Sequence, residues 1–207
     1  MSEGTSMKIG ITGTIGSGKS SVSHHIVDLG YQVYDMDRLT HSFYEPEGIL
    51  YDYIIELLGP EILRLDKTVD RQIMSGILFK NSKLLERLEE KVFAEVRAFI
   101  QNIHDDKNSM MFFEVPLLFE SKMEDLFDCI IMVSADYDVR IKRLLNRGMK
   151  TDDINLRMNR QYSEKIKEEK SDYILYNNST VFDLNQETEK LINKIKKEES
   201  IDARSRI

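Results

Sequence analysis

Runs of apolar residues recur along the chain, and each is followed by a turn or by a helix-like pattern. Buried parallel strands give such continuous apolar runs, because both faces of their sheet are covered. The pattern predicts four of these strands and a shorter fifth, at Lys8 to Gly13, Gln32 to Asp35, Met110 to Val115, Cys129 to Ser134 and Tyr173 to Tyr176. Strands that alternate with helices imply an open, doubly wound α/β sheet, whose ligands bind at the carboxyl ends of the strands.

The segment 38–106 departs from this alternation. Its apolar residues recur at three- and four-residue spacing, as in Leu84, Leu88 and Val92, which predicts helices. We expect either a helical insertion that closes over a substrate or one that only enlarges the core. Residues 7–207 would then form a single domain, with 1–6 as a frayed tail or a cloning remnant and a charged terminal helix from Glu187 onward.

Charge and cysteine content exclude several classes of protein. The 207 residues include 29 Lys and Arg against 36 Asp and Glu, a formal net charge of −7, which argues against coating of nucleic acid or of anionic membranes. The one cysteine, Cys129, lies in an apolar run and is expected to be a buried thiol, with no intramolecular disulfide. No stretch approaches the roughly 20 apolar residues of a membrane span. We expect a cytoplasmic monomer that binds neither nucleic acid nor membrane.

The residues from Gly13 to Ser20 match the phosphate-binding pattern G-x-x-x-x-G-K-[ST] in full, between an apolar run and a helix-like stretch. Its glycines let backbone N–H groups converge on phosphate oxygens, and the helix N-terminus adds its positive end. Lys19 reaches the β- and γ-phosphates, where it assists transfer, and the Ser20 hydroxyl can ligate Mg²⁺. The sequence therefore predicts a P-loop that binds ATP with Mg²⁺ through Gly13, Thr14, Ile15, Gly16, Ser17, Gly18, Lys19, Ser20 and Ser21.

Acidic residues follow the second and third predicted strands. Asp35 and Asp37 are two residues apart, so on an extended chain both carboxylates would face the cleft opposite the P-loop. One would orient or deprotonate an acceptor hydroxyl while the other holds Mg²⁺ or water, or else an aspartate here caps the next helix. Glu114 resembles the Mg²⁺-holding carboxylate of a Walker B strand, which makes Ser20, Asp37 and Glu114 the candidate metal ligands. Glu120 is expected to be a solvated helix residue.

Three arginines recur with helical spacing between Asp136 and Asn146. Arg140, Arg143 and Arg147 stand at i, i+3 and i+7, which puts them on one face of a predicted helix. Guanidinium groups match phosphate oxygens bidentately and keep their charge. A lid over residues 136–160 would use them to neutralise the migrating phosphoryl group, unless they form an ordinary solvated basic face.

In this order, the motifs resemble those of the dephospho-CoA kinase family over residues 7–178. The similarity is carried by three blocks, Ile11 to Ser20, Val33 to Asp37 and Val115 to Glu120, of which the last is the most specific because few kinases share it. The resemblance implies transfer of the ATP γ-phosphoryl group to the ribose 3′-hydroxyl of dephospho-CoA, the last step of coenzyme A synthesis. It places Asp37 at the position of the family's proposed base, Arg143 and Arg147 at its lid arginines and Asn177 where the adenine of ATP is recognised.

Three positions depart from the family pattern. This chain has Glu114 where the family usually has Asp, Arg140 where it has Gln, and Glu90-Lys91 where it has a His-Pro pair. Two other functions fit parts of the sequence. One is another small-molecule P-loop kinase, acting on a nucleoside or nucleotide monophosphate. The other is a nucleotide-dependent switch, although the Asn-Lys-x-Asp segment of a guanine-specific switch does not occur in the sequence.

Overall fold

The computed structural model describes residues 6–104 and 110–205, with side chains as far as residue 198. The described residues form two compact units, 6–34 with 110–205 and 35–104. Most of the predicted tail 1–6 and the last residues of the predicted 38–106 segment lie outside the described residues. That the two units act as one domain of residues 7–207 stays a prediction.

A five-stranded sheet forms the centre of the first unit. Its strands are β1 (Met7–Thr12), β2 (Gln32–Asp35), β3 (Met110–Glu114), β4 (Cys129–Ser134) and β5 (Tyr173–Tyr176), in the order β2-β3-β1-β4-β5. The central strand β1 pairs in parallel with β3 and β4, and β4 pairs in parallel with β5. The predicted α/β sheet is therefore confirmed, with strand ends within one residue of their predicted positions.

One strand differs from the prediction of a buried run. In β2, Gln32 and Asp35 are exposed, while Val33 and Tyr34 are only half-buried. The strand lies at the edge of the sheet, where it has a neighbour on one side only. The prediction that this short apolar run forms a buried strand is therefore wrong, because β2 is an edge strand.

The α-helices are α1 (Lys19–Asp28), α2 (Met36–Phe43), α3 (Tyr51–Leu58), α4 (Arg71–Lys80), α5 (Ser82–Asn102), α6 (Tyr137–Asn146), α7 (Thr151–Met158), α8 (Glu164–Glu169) and α9 (Val181–Ser205). In the first unit, α1 and α9 pack against the sheet through Ile26 and Ile192, which belong to the same core as Ile9, Phe112 and Ile131. None of the helices in the described part of the chain is long and apolar enough to cross a membrane.

The terminal helix α9 begins six residues before the predicted Glu187. Its start is set by a reciprocal cap, in which the Thr180 hydroxyl donates to Asp183 at 2.7 Å and accepts from the Asp183 N–H at 3.2 Å. The first turn contains the exposed apolar residues Val181 and Phe182, which lie before the charged stretch on which the prediction was based.

Cys129 is buried in the core of the first unit, as expected. Burial, together with the nearby carboxylates of Asp172 and Asp128, raises the pKa of its thiol to about 12. A thiol with this pKa is protonated at neutral pH and is not a nucleophile.

The second unit consists of α2 to α5 and a turn closed by an antiparallel bridge between Leu63 and Val69. Its longest helix, α5, buries Leu88, Val92, Val96 and Ile100, at the four-residue spacing that the sequence indicated. Glu90 and Lys91 lie within this uninterrupted helix, both exposed. A proline at either position would remove a hydrogen bond from the middle of α5.

Candidate active site

The P-loop connects β1 to α1, as predicted. Gly18, the last residue before α1, has a φ of 102°, which lies in the left-handed region that favours glycine. Close packing adds a second requirement, because a Cβ at Gly18 would lie 2.1 Å from Asn177 Nδ2 and one at Gly13 would lie 2.3 Å from the Val133 carbonyl oxygen. These glycines are thus required both by the backbone conformation and by the neighbours of the loop.

Lys19 is the first residue of α1, and its side chain folds back over the loop. Its Nζ donates to the Gly13 carbonyl at 2.9 Å and to the Thr14 carbonyl at 3.3 Å. These contacts hold a full positive charge at the loop instead of leaving it in bulk water. Phosphate oxygens are a stronger partner for an ammonium group than neutral carbonyls are, so the side chain is suited to bind them.

Ser20 and Glu114 come together at the carboxyl end of β3. The Ser20 hydroxyl donates to Glu114 Oε1 at 3.2 Å, and Glu114 is only 8% exposed. A hydroxyl and a carboxylate are the hard oxygen ligands that Mg²⁺ prefers. No group of three or more His, Cys, Asp or Glu that could hold a metal is present in residues 6–104 and 110–198. The pair therefore fits a Mg²⁺ ion that takes its other ligands from phosphate and water, as Mg²⁺ at nucleotide sites does.

The predicted geometry of Asp35 and Asp37 is wrong. Helix α2 begins at Met36, so the two residues are not on one extended segment. Asp35 is the N-cap, since its Oδ1 accepts from the Arg38 N–H at 2.9 Å. Asp37 is an exposed residue in the first turn of α2 and belongs to the second unit. Its role as a base or as a Mg²⁺ ligand stays a prediction.

The three arginines predicted on one helix face have different environments, so they are not one solvated face. Arg140 is 6% exposed; its Nε donates to the Ala135 carbonyl at 2.9 Å and its guanidinium pairs with Glu164 at 2.8 Å. Arg143 is half-buried, whereas Arg147 follows the last residue of the helix and is exposed. Burial, together with the charge of Arg147, lowers the pKa of Arg143 from its usual value. Helical spacing alone did not separate the buried arginine from the accessible ones.

Arg143 reaches the P-loop together with Asn177. The Arg143 guanidinium donates to the backbone oxygen and to Oδ1 of Asn177, both at 3.0 Å, and more weakly to the Ser17 carbonyl at 3.4 Å. Asn177 is 5% exposed, and its Nδ2 donates to the same Ser17 carbonyl at 2.7 Å. Both side chains therefore donate to Ser17, in the middle of the loop. Recognition of adenine by Asn177 stays a prediction, since its amide is bonded to protein groups.

A buried ion pair that the sequence did not indicate lies beside the site. Glu120 was expected in a solvated helix, but it lies in a turn after β3 and its side chain is 11% exposed. It accepts from the Tyr162 N–H at 2.7 Å and pairs at 2.9 Å with Lys167, whose side chain is fully buried. Burial lowers the pKa of Lys167 from its usual value, and the charge of Glu120 opposes this shift. Sequence spacing gives no signal for a pair 47 residues apart.

Gln161 and Glu164 contact the P-loop, although no motif in the sequence indicates a role for either residue. Gln161 Oε1 accepts from the Ile15 N–H at 2.8 Å, and Glu164 Oε2 accepts from the Thr14 hydroxyl at 3.2 Å. Gln161 lies three residues before α8 and Glu164 is its first residue, both about 150 residues beyond the loop along the chain. Only the folded structure shows that they are its neighbours.

Comparison with known proteins gives a consistent result. A family model described as dephospho-CoA kinase matches residues 7–183. The chain is 32% identical over 194 residues to the dephospho-CoA kinase of Fusobacterium nucleatum, covering 89% of this chain and 96% of the relative. It is 36% identical over 186 residues to that of Leptospira interrogans, covering 88% and 90%. The solved dephospho-CoA kinase from Campylobacter jejuni is similar with a TM-score of 0.69 and 27% identity, covering 93% of this chain and 98% of that one.

Proposed function

Because the chain belongs to the dephospho-CoA kinase family, we propose that it transfers the γ-phosphoryl group of ATP to the ribose 3′-hydroxyl of dephospho-CoA, which completes coenzyme A. The chain is an ATP-dependent phosphotransferase that uses Mg²⁺ and acts on a small molecule. The observation that carries the proposal is a complete P-loop whose Ser20 hydroxyl meets the buried Glu114 carboxylate, with Lys19 and Arg143 at the same loop.

The P-loop and its cations bind the triphosphate. We assign binding of the phosphates to Lys19 and to the backbone N–H groups between Gly16 and Ser21, because a helix N-terminus and a Gly-rich loop present donors to anions, whereas the Ile15 N–H already donates to Gln161. Ser20 and Glu114 are the first-unit residues that would hold Mg²⁺, which, when bound, neutralises charge on the β- and γ-oxygens.

Phosphoryl transfer breaks the bond between the γ-phosphorus and the bridging oxygen, which leaves with ADP. A bond forms from the γ-phosphorus to the acceptor oxygen, and the hydroxyl proton is released. We assign orientation of the hydroxyl and acceptance of its proton to the Asp37 carboxylate. Lys19, Arg143 and Arg147 supply the positive charge that stabilises the phosphoryl oxygens as the bonds change.

We further propose that the protein works in the cytoplasm as a monomer and binds no nucleic acid. The excess of acidic over basic residues supports the last point, since binding to a polyanion requires basic surface. The single cysteine leaves no intramolecular disulfide, as is usual for proteins of a reducing cytoplasm, which supports the first. Sedimentation at micromolar protein concentration, with and without ATP, tests the oligomeric state.

An acceptor panel tests the proposed reaction. Purified protein with ATP and Mg²⁺ is given dephospho-CoA, adenosine, AMP or pantetheine, and release of ADP is compared with formation of acceptor phosphate. We expect turnover with dephospho-CoA alone, with one acceptor phosphate formed per ADP. Turnover with adenosine or AMP in its place would show a nucleoside or nucleotide kinase, and ADP release without acceptor phosphate would show an ATPase.

A further inference from the structure

Residues 161–164 form a short strap that holds the first half of the P-loop. The strap begins in the turn after α7, where the Gln161 N–H bonds to the Met158 carbonyl at 3.0 Å, and ends at the first residue of α8. Ser163 fixes its end as the N-cap of α8, with a hydroxyl that accepts from the Ile166 N–H. Gln161 and Glu164 at its two ends both reach the P-loop.

Gln161 binds the backbone of the loop. Its Oε1 accepts from the Ile15 N–H at 2.8 Å in a half-buried position. This N–H lies before the glycines Gly16 and Gly18, whose φ values of 82° and 102° turn the later part of the loop. The bond therefore satisfies a donor that no regular secondary structure pairs, and it fixes one point on a glycine-rich segment.

Glu164 joins the loop to two other elements. One carboxylate oxygen accepts from the Ser134 hydroxyl at 2.7 Å and from the Ala135 N–H at 3.2 Å, at the carboxyl end of β4. The other accepts from the Thr14 hydroxyl at 3.2 Å and pairs at 2.8 Å with Arg140 of α6. Thr14, Ser134 and Arg140 are each at most 6% exposed, so this carboxylate satisfies groups that have little access to water.

We propose that Gln161 and Glu164 are positioning residues that hold the P-loop in its ATP-binding conformation and tie it to helix α6, which carries Arg143. The proposal rests on the proposed ATP site, but it does not depend on the identity of the acceptor. Neither residue is assigned a contact with the reacting atoms. Their effect is exerted through Thr14, Ile15 and Arg140.

The physical reason is the conformational freedom of the loop. Glycine loses more backbone entropy on ordering than any other residue, and the loop contains three glycines within six residues. A loop that is already ordered loses less entropy when it binds phosphate, so its affinity is higher. Fixed N–H donors also stabilise developing charge without reorganisation. The strap supplies this order from outside the loop through the contacts of Gln161 and Glu164. Glu164 also links the loop to α6, because the same carboxylate pairs with Arg140.

Substitution of Gln161 by alanine tests the bond to Ile15. The matched control is Gln186→Ala, the same change on the exposed surface of α9. Calorimetric titration with Mg-ATP, without acceptor, should give a dissociation constant about 3- to 10-fold higher for Gln161→Ala, the range of one neutral hydrogen bond. We expect the control to stay within twofold of the parent. The KM for dephospho-CoA should stay within twofold for both variants.

Glu164→Gln separates positioning from a simple effect of charge. If Glu164 were only a negative charge near the phosphates, its removal would tighten ATP binding. If it holds the loop, the substitution weakens ATP binding at least threefold in spite of the charge lost. The control Glu169→Gln changes an exposed carboxylate on the same helix and should leave ATP affinity unchanged.

Thr14→Val provides a variant that keeps the buried ion pair intact, in case Glu164→Gln does not fold. It should weaken ATP binding about 2- to 5-fold, since it removes one hydrogen bond. In a double-mutant cycle, the effects of Thr14→Val and Glu164→Gln should not be additive, because both substitutions alter the same hydrogen bond between residues 14 and 164.

Unchanged ATP affinity in Gln161→Ala and in Thr14→Val, or equal losses for ATP and dephospho-CoA, would overturn the proposal. Failure of the proposed function would be seen separately, as ATP binding by the parent protein without phosphate transfer to dephospho-CoA.

Discussion

Substitution of Arg143 by lysine removes a guanidinium group that links α6 to Asn177 and to Ser17 of the P-loop. In the structure, its guanidinium donates to two oxygens of Asn177 at 3.0 Å each and to the Ser17 carbonyl at 3.4 Å. Lysine keeps the charge, but a single ammonium group cannot match this planar arrangement, nor bind two phosphoryl oxygens side by side. The substitution therefore tests geometry while the charge stays constant.

The expected loss follows from the contacts. A hydrogen bond to a charged group contributes about 1.5–3 kcal/mol, and lysine should retain part of this because the site is only half-buried. We therefore expect Arg143→Lys to lose about 2–3 kcal/mol of transition-state stabilisation, which corresponds to a roughly 30- to 150-fold lower kcat. The ground-state contacts to carbonyls are weaker, near 1 kcal/mol, so the melting temperature should fall by about 2–4 °C for a chain of this size.

The assay is single-turnover transfer to dephospho-CoA, measured beside thermal denaturation. The same change is made at Arg147, at the exposed end of α6, and at Arg157 on the exposed surface of α7, which is the matched control. We expect an intermediate loss of the transfer rate for Arg147→Lys, since Arg147 is exposed at the end of α6. For Arg157→Lys the transfer rate should change less than twofold. A change of less than threefold at Arg143, or equal changes at all three positions, would refute a role of its fork in transfer.

Four further substitutions test other parts of the site. Lys19→Ala should lower turnover at least about a hundredfold while the protein remains folded, because it removes the P-loop's own cation; near-normal turnover at saturating ATP would contradict this. Glu114→Gln should raise the Mg²⁺ concentration needed for half-maximal rate, measured by Mg²⁺ titration, and an unchanged requirement would exclude Glu114 as a ligand or orienting group. Asp37→Asn should lower transfer by roughly 10² to 10⁴ and leave ATP affinity and melting temperature nearly unchanged; unchanged transfer would limit Asp37 to a helix-terminal role. Lys167→Met should destabilise the protein by about 3 kcal/mol in denaturant titration because it leaves Glu120 unpaired, and adding Glu120→Gln should restore most of the loss.

The parts of the site that the sequence predicted are those with a local pattern. The P-loop is one continuous stretch, and its glycine, lysine and serine positions follow from the requirements of phosphate binding. The strands were found because buried parallel strands are apolar throughout, and the error at β2 arose where an edge strand interrupts that rule. The helices of the second unit followed from the spacing of apolar residues such as Leu88 and Val92.

The side chains whose environment was misjudged are those whose partners lie far along the chain. Arg140 and Arg143 are equivalent by helical spacing. In the structure, however, Arg140 is buried and pairs with Glu164, whereas Arg143 is half-buried and donates to Asn177. Glu120 was judged solvated because polar residues usually are, but Lys167 provides a partner 47 residues away. For Asp35 the competing local rule decided the outcome, since capping of α2 ended the extended backbone that the prediction required.

The contacts of the P-loop show how a local motif depends on distant residues. Ile15 is bonded to Gln161, Thr14 to Glu164, and Ser17 to Asn177, so the strap 161–164 and the residue after β5 together hold three positions of one loop. The motif supplies the donors and the conformational freedom that phosphate binding requires, but that freedom also permits conformations that do not bind phosphate. The distant contacts stabilise one of these conformations. A sequence can therefore match the P-loop pattern in full and still bind ATP weakly if those partners are lost, which is the outcome expected for Gln161→Ala and Thr14→Val.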